Sequence, residues 1–276
     1  MRKQGKRCAC LILCMFCMLS LMPRELPAAK ASQTIQWTQE ESDFIKNHPE
    51  IRLGVDPTFV PYEFFDTDGV YKGIAPDYIE LICNATGLKM TPEKGLTWTQ
   101  AYEKAVGKEL DVLPCVSKTT EREKYFLFSE GYYTFQRVLF INENNKKIKS
   151  FDDLMGKRVA VQVNSSHHSF LMDYPTISLA LYTTVEEALH AVSDGREEAF
   201  VGNLSTSSYL IKKYGIANLR YITIYSEKPQ QLYFAVRNDW PVLVGILNKA
   251  LNSIEQEDKI AISNKWIAVQ SGADYS

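Results

Sequence analysis

Thr97-Trp-Thr-Gln-Ala-Tyr-Glu-Lys-Ala-Val-Gly-Lys-Glu-Leu-Asp-Val-Leu-Pro-Cys-Val-Ser-Lys-Thr-Thr-Glu-Arg122 places a helix and a strand end to end. Thr97-x-x-Gln100 is a capping box, in which a threonine hydroxyl and a glutamine side chain satisfy free N–H groups at a helix start. The helix it opens is predicted over Trp98 to Val106. Leu110 to Val116 is an apolar run of strand length, read as a buried strand. The same grammar holds upstream, with a strand from Ile51 to Val55, an amphipathic helix from Asp77 to Ala85 ending at Gly87, and an extended stretch from Leu88 to Glu93. It restarts downstream. Ser150-Phe-Asp-Asp153 caps a short helix, Arg158 to Val163 is a strand, and a helix begins near Ser165. Thr184-Val-Glu-Glu187 caps a helix to Ser193 that Gly195 stops, and Glu198 to Gly202 returns as a strand. Strand alternating with helix predicts an α/β fold with mostly parallel sheets and covering helices.

Two extended segments, Tyr132 to Ile141 and Gln231 to Arg237, separate these units, so the chain is expected to form two lobes with two crossings between them. The predicted organisation is a signal peptide over 1–31, a helical lead-in over 32–48 with Thr38 capping and Glu41 three residues on, and the first part of lobe 1 over 49–133. Lobe 2 covers 134–232, lobe 1 returns over 233–270 with a long helix from Trp240 to Glu255, and 271–276 is a tail.

The signal is read from Arg2, Lys3, Lys6 and Arg7 ahead of an apolar run from Ala9 to Met22, followed by Ala29-Lys30-Ala31 at cleavage spacing. That run is shorter than the roughly 20 residues that span a bilayer. Cleavage after Ala31 removes four of the six cysteines and leaves Cys83 and Cys115, so the core must come from apolar packing and not from a disulfide framework. It also leaves 25 basic against 32 acidic residues, a net charge of −7 that disfavours nucleic acid as a partner.

Several blocks resemble family 3 of the bacterial extracellular solute-binding proteins: Gly54-Val-Asp56-Pro-Thr-Phe59-Val-Pro61-Tyr62, Gly69-Val-Tyr-Lys-Gly73-Ile-Ala-Pro-Asp77, Leu110-Asp111-Val-Leu, and Ser117-Lys-Thr119-Thr-Glu-Arg122-Glu-Lys-Tyr-Phe-Leu-Phe128. Asp153-Leu-Met-Gly156-Lys-Arg-Val-Ala-Val and Asn264-Lys-Trp266 continue the likeness. It implies a two-lobed periplasmic binding protein of type 2, a Venus flytrap. The opening Trp37-Thr-Gln-Glu-Glu-Ser-Asp-Phe44-Ile-Lys-Asn-His48-Pro49 and Phe200-Val-Gly-Asn203-Leu also resemble the Venus-flytrap sensor domains of BvgS-like histidine kinases. The resemblance therefore implies two partners beyond a small-molecule ligand: the membrane subunits of an ABC importer, or a membrane-bound signalling protein. A cleavable signal and an ending soon after Trp266 favour a free binding protein; the sensor-like opening favours signalling.

Such a protein works by closure, so its site residues are expected from both lobes. Arg122 is the anchor candidate, because Ser117-x-Thr119-x-x-Arg122 leaves a strand and enters a helix start, and a guanidinium holds a carboxylate with paired hydrogen bonds. Ser117 would assist through its hydroxyl or N–H, while Thr119 is read as the cap. Phe59 and Tyr62 flank Pro61, where an aromatic covers a ligand or packs the lobe. Trp98 is a cleft wall or a core tryptophan, and Asp56 either receives a ligand cation or caps its own turn. Cys115 leads to Ser117 and reads as a buried thiol that lines the cleft at most. From lobe 2, Ser165 and Ser166 stand at a helix start, with capping alone accounting for one of them. Asn203 ends a strand on the cleft side, where the amino-acid binders of the family place an aspartate for the ligand ammonium; they also place serine where this chain has Pro114.

The expected ligand is thus a small carboxylate, an amino acid or a related organic acid. No cofactor motif, nucleophile elbow or phosphate loop is present. His167-His168 lacks further metal ligands at useful spacing and reads as a surface pair. A dehydratase activity on the same fold is the enzymatic alternative, and it lacks a carboxyl at Asn203.

Overall fold

The computed structural model describes residues 35–225 and 230–267; the signal over 1–31 and the tail over 271–276 lie outside the described residues. Helix α1 (Gln39–Asn47) opens with both halves of its capping box formed, Thr38 receiving the Glu41 N–H and Glu41 receiving the Thr38 N–H at 2.7 Å. There follow β1 (Glu50–Leu53), the short strands β2 (Thr58–Phe59), β3 (Glu63–Phe65) and β4 (Tyr71–Lys72), then α2 (Ile74–Thr86), β5 (Lys89–Pro92), α3 (Trp98–Val106) and β6 (Val112–Val116). After a 3₁₀ turn at Arg122–Lys124 come β7 (Phe126–Phe128) and β8 (Tyr133–Phe135).

The second unit holds β9 (Arg137–Asn142), a 3₁₀ turn at Asp152–Leu154, β10 (Arg158–Gln162), α4 (Ser166–Met172), β11 (Ser178–Tyr182), α5 (Val185–Ser193), β12 (Ala199–Asn203), α6 (Leu204–Lys213) and β13 (Leu219–Thr223). The chain then returns through β14 (Gln230–Arg237) to α7 (Pro241–Ser253) and α8 (Gln256–Ile267). The two lobes are two sheets, in the orders β5-β1-β6-β14-β7, with β8 also on β14, and β11-β10-β12-β9-β13. One passage between them lies at Gln136, between β8 and β9; the other lies between β13 and β14.

Both sheets are mixed, which corrects the expectation of mostly parallel pairing. β1 is parallel to β5 and β6, and β10 to β11 and β12, whereas β14 and β9 are antiparallel to their neighbours. The cause is the topology: β9 and β14 arrive from the opposite lobe and enter their sheets from the opposite end.

The strands are nearly continuous apolar runs because both faces are covered. Along the second sheet Leu139, Ile141, Val159, Val161 and Val201 pack on one face, and Val138, Phe140, Ala160 and Phe200 pack on the other against Ala188, Leu189 and Val192 of α5. In the first sheet β6 is buried throughout, and the register of β14 shifts opposite Pro114 and Cys115. Pro114 has no N–H for the ladder, so an irregularity is the expected response; its carbonyl takes the Tyr132 hydroxyl at 2.9 Å. Among the described residues no helix is long and apolar enough to cross a membrane.

Candidate functional site

Parallel α/β strands release their loops at one end, and ligands collect there. The loops after β1, β6 and β10 converge on a cavity of about 410 Å³, a figure that includes open solvent at its mouth. Asp56, Phe59, Trp98, Cys115, Ser117 and Arg122 line it from the first lobe, and Ser165 and Ser166 from the second. Val116, Phe135, Gln162, His167 and Leu232 complete the lining; sequence reasoning did not select them.

Arg122 does not start an α-helix. It opens a three-residue 3₁₀ turn, so the helix-end contribution expected there is absent, and Thr119 accepts the Arg122 N–H at 3.3 Å. The side chain is 4% exposed. Its guanidinium donates to the Ser117 carbonyl at 2.7 Å and, across the lobes, to the Asn164 carbonyl at 2.9 Å. The Trp98 and Tyr102 rings lie 5.6 and 5.7 Å from it. Burial pushes its pKa down to about 10, which leaves it a cation at neutral pH. No carboxylate pairs with it among the described residues, and two of its five N–H groups account for those carbonyl bonds.

Asp56 is both a turn former and a cavity wall. Its Oδ1 receives the Thr58 N–H and hydroxyl at 2.9 and 3.0 Å, and the Gln162 amide of the other lobe faces it. Burial raises its carboxyl above the usual range against those hydrogen bonds. Ser165 spends its hydroxyl on the cap, receiving the His168 N–H and donating to the Gln162 carbonyl. Trp98 is core and wall at once, and its indole N–H reaches the Asn164 carbonyl at 3.2 Å. Cys115 is a buried thiol held well above its usual pKa by burial, unsuited to reaction.

Tyr62 and Asn203 lie outside the cavity lining. The Asn203 carboxamide oxygen caps α6 through the Ser205 and Thr206 N–H groups, while among the described residues its buried Nδ2 has only the Tyr62 phenol beside it. Tyr62 packs on Phe59 with ring centroids 4.7 Å apart and the planes tilted by 32°, its phenol beside Ser205 and Asn203 of the other lobe and pushed up to about 12 by burial. Thr206 adds a bond to the Val60 carbonyl at 2.7 Å. These residues join the lobes. His167 corrects the surface reading: it is buried and lines the cavity, receiving Arg137 Nε at 3.0 Å.

A family model described as bacterial extracellular solute-binding proteins, family 3, matches residues 51–269. The chain belongs to that family. It is 27% identical over 242 residues to the sensor protein EvgS of Escherichia coli O157:H7, covering 86% of this chain and 20% of that protein. It is 28% identical over 228 residues to the L-cystine-binding protein TcyA of Bacillus subtilis (strain 168), covering 80% of this chain and 82% of that one. The crystal structure of the periplasmic VFT2 domain of Bordetella pertussis BvgS matches at TM-score 0.73 and 25% identity, covering 84% of this chain and 99% of that domain. The chain spans about a fifth of the length of the sensor relative.

One further acid sits behind the cleft of this family 3 solute-binding protein. Glu63 is fully buried, receiving the Asp56 N–H at 2.9 Å and the Tyr71 hydroxyl at 2.7 Å. Burial lifts its carboxyl well above the usual range. Its raised folded pKa gives a stability contribution that is full below the unfolded value near 4.3 and lost as pH rises through the folded value. Glu63→Gln, whose amide can satisfy both neighbours, is expected to remove that decline. Melting temperature followed from pH 4.5 to 8 should fall less in the variant than in the parent protein.

Proposed function

We propose that this protein is an exported solute receptor whose lobes close over a small carboxylate bearing hydrogen-bond donors or a cation at its other end, in the service of ABC-type uptake. One observation carries this reading: Arg122 is a buried guanidinium in the cavity wall with donors to spare and no carboxylate partner among the described residues. A buried charge is costly unless it is paired, and a ligand carboxylate supplies the pair. Asp56, facing Gln162, is the complement for the ligand's donor end. Amino acids fit both, in keeping with the cystine-binding relative, although Asn203 offers the ammonium no charge. The receptor binds without catalysis.

A thermal-shift screen of polar metabolites tests this, because a ligand for the folded state raises stability by mass action. Carboxylates with an amine or amide should raise the melting temperature, by the equivalent of about 2.7 kcal/mol at a hundred times Kd. Asp56→Asn should weaken the cationic hits by about tenfold or more and leave neutral-tailed acids nearly unchanged. A screen in which only carboxylate-free compounds shift the protein sinks the reading.

The second reading is a sensory receptor acting through a membrane-bound signalling partner, favoured by the likeness to EvgS and to the BvgS domain. Importer genes beside this one support uptake; a kinase or cyclase gene supports sensing. Export predicts a mature N-terminus at Ser32, read by N-terminal sequencing of the secreted protein.

A further inference from the structure

Arg122 lines the cavity; a second buried cation, Arg137, works from behind its wall. Arg137 is the first residue of β9, just past the passage between the lobes. Its Nε donates to His167 Nδ1 at 3.0 Å and its Nη2 to Gln230 Oε1 at 3.0 Å, while the guanidinium lies 4.2 Å from the centre of the Phe170 ring. Phe170 and Gln230 thus fix the fork, and the fork fixes the imidazole.

A guanidinium has donors and no acceptor. His167 Nδ1 must therefore be an acceptor without a proton, and the single proton of the neutral ring sits on Nε2. Among the described residues Nε2 makes no hydrogen bond, and the ring lines the cavity, with the Phe135 edge packed against it at 6.1 Å.

We propose that His167, held by Arg137 as its Nε2–H tautomer, is a specificity-determining hydrogen-bond donor on the second lobe, taking an acceptor oxygen of the carboxylate anchored at Arg122. This rests on the reading of the cleft as a carboxylate site. Arg137 is a positioning residue, because it acts only through the ring. Arg122 across the cleft and Arg137 behind are the charges that face His167, with His168 beside it on α4. Burial, then those two guanidinium charges, push the imidazole well below its usual range. An imidazolium would also set N–H against N–H at Arg137. The donor therefore stays neutral at neutral pH, donates to carboxyl or carbonyl oxygens, and turns away ammonium groups. Closure is coupled to this choice, since one ligand group meets Arg122 from the first lobe and His167 from the second.

Long-range ¹H–¹⁵N NMR of the ¹⁵N-labelled, ligand-free protein reads the tautomer directly, and sodium acetate serves as the carboxylate probe. The expected pattern is protonated Nε2 and bare Nδ1, unchanged through the ordinary imidazole titration near about 6.5. Acetate should move the His167 Nε2–H and the Arg122 guanidinium resonances together, and His167→Leu should weaken acetate binding by about tenfold. Arg137→Met should free Nδ1, mix the tautomers and raise the ring's titration toward its ordinary range, while burial and Arg122 still hold it below that range. If that variant does not fold, the wild-type spectra decide alone. Acetate shifts at Arg122 with His167 unmoved overturn the donor role and leave the cleft reading intact; shifts at neither overturn both. An Nδ1–H or imidazolium pattern at pH 7 in the wild type overturns the proposal outright.

Discussion

Arg122→Met is expected to weaken binding of any carboxylate ligand by at least about thirtyfold, because truncating one partner of a buried charge pair costs about 2–5 kcal/mol. Calorimetric titration reads this loss, and circular dichroism checks that the fold survives. Survival is expected, since the removed cation is desolvated and its polar partners are the Ser117 and Asn164 carbonyls and the Tyr102 side chain, with no carboxylate among the described residues. Arg122→Lys should recover little. An ammonium is a compact point charge without a planar fork, and it cannot serve two carbonyls and a carboxylate together. An unchanged affinity in Arg122→Met would remove the anchor and with it the present account of the ligand.

The second large effect is on stability. Asp111, 2% exposed and just ahead of β6, receives the Arg52 N–H and Nε at 2.9 and 3.0 Å, Arg52 Nη2 at 2.8 Å and Arg237 Nη1 at 3.1 Å. It thereby ties β1 and the end of β14 to the central strand. Asp111→Ala is expected to cost about 3 kcal/mol, at the low end for breaking a buried ion pair because Arg52 is half exposed. In a chain of this size that lowers the melting temperature by about 6–12 °C. Burial alone would raise the Asp111 carboxyl, but the hydrogen bonds and charges of the two arginines outweigh it and hold it below the usual range. Its contribution is therefore full above the unfolded value near 3.9 and lost as pH falls through the lower folded value. Between about pH 4 and 2 the parent should lose stability faster than the variant.

What the sequence made legible was local. The boxes at Thr38, Thr97 and Thr184 form both of their hydrogen bonds, because each is settled within four residues. Apolar runs such as 112–116 and 199–202 are buried throughout, as their composition demands. Ser150-Phe-Asp-Asp153 inverted its expected roles: Asp153 receives the Lys149 and Ser150 N–H groups, a swap two neighbouring polar residues make at little cost. The cavity was legible where a motif marks a strand end, as at Arg122, Ser117, Asp56 and Ser165.

It was illegible where a residue's partner lies far along the chain. His167 looked like a surface histidine because its partner, Arg137, is 30 residues away, and Thr206 meets Val60 across 146. Gln162 gave one missed signal, a polar residue ending the apolar strand 158–162. Asn203 was placed at the cleft from its strand end, but an Asn at that point has a local use, capping α6, and the cap took its side chain.

The most direct test of the central claim, a cleft that holds a carboxylate between two lobes, is calorimetric titration of the best amino-acid hit alongside its decarboxylated and deaminated analogues. One-to-one binding of the hit is expected, retained within about tenfold by the deaminated acid and lost in the decarboxylated amine. Equal binding of the decarboxylated amine, with the deaminated acid inert, would contradict it.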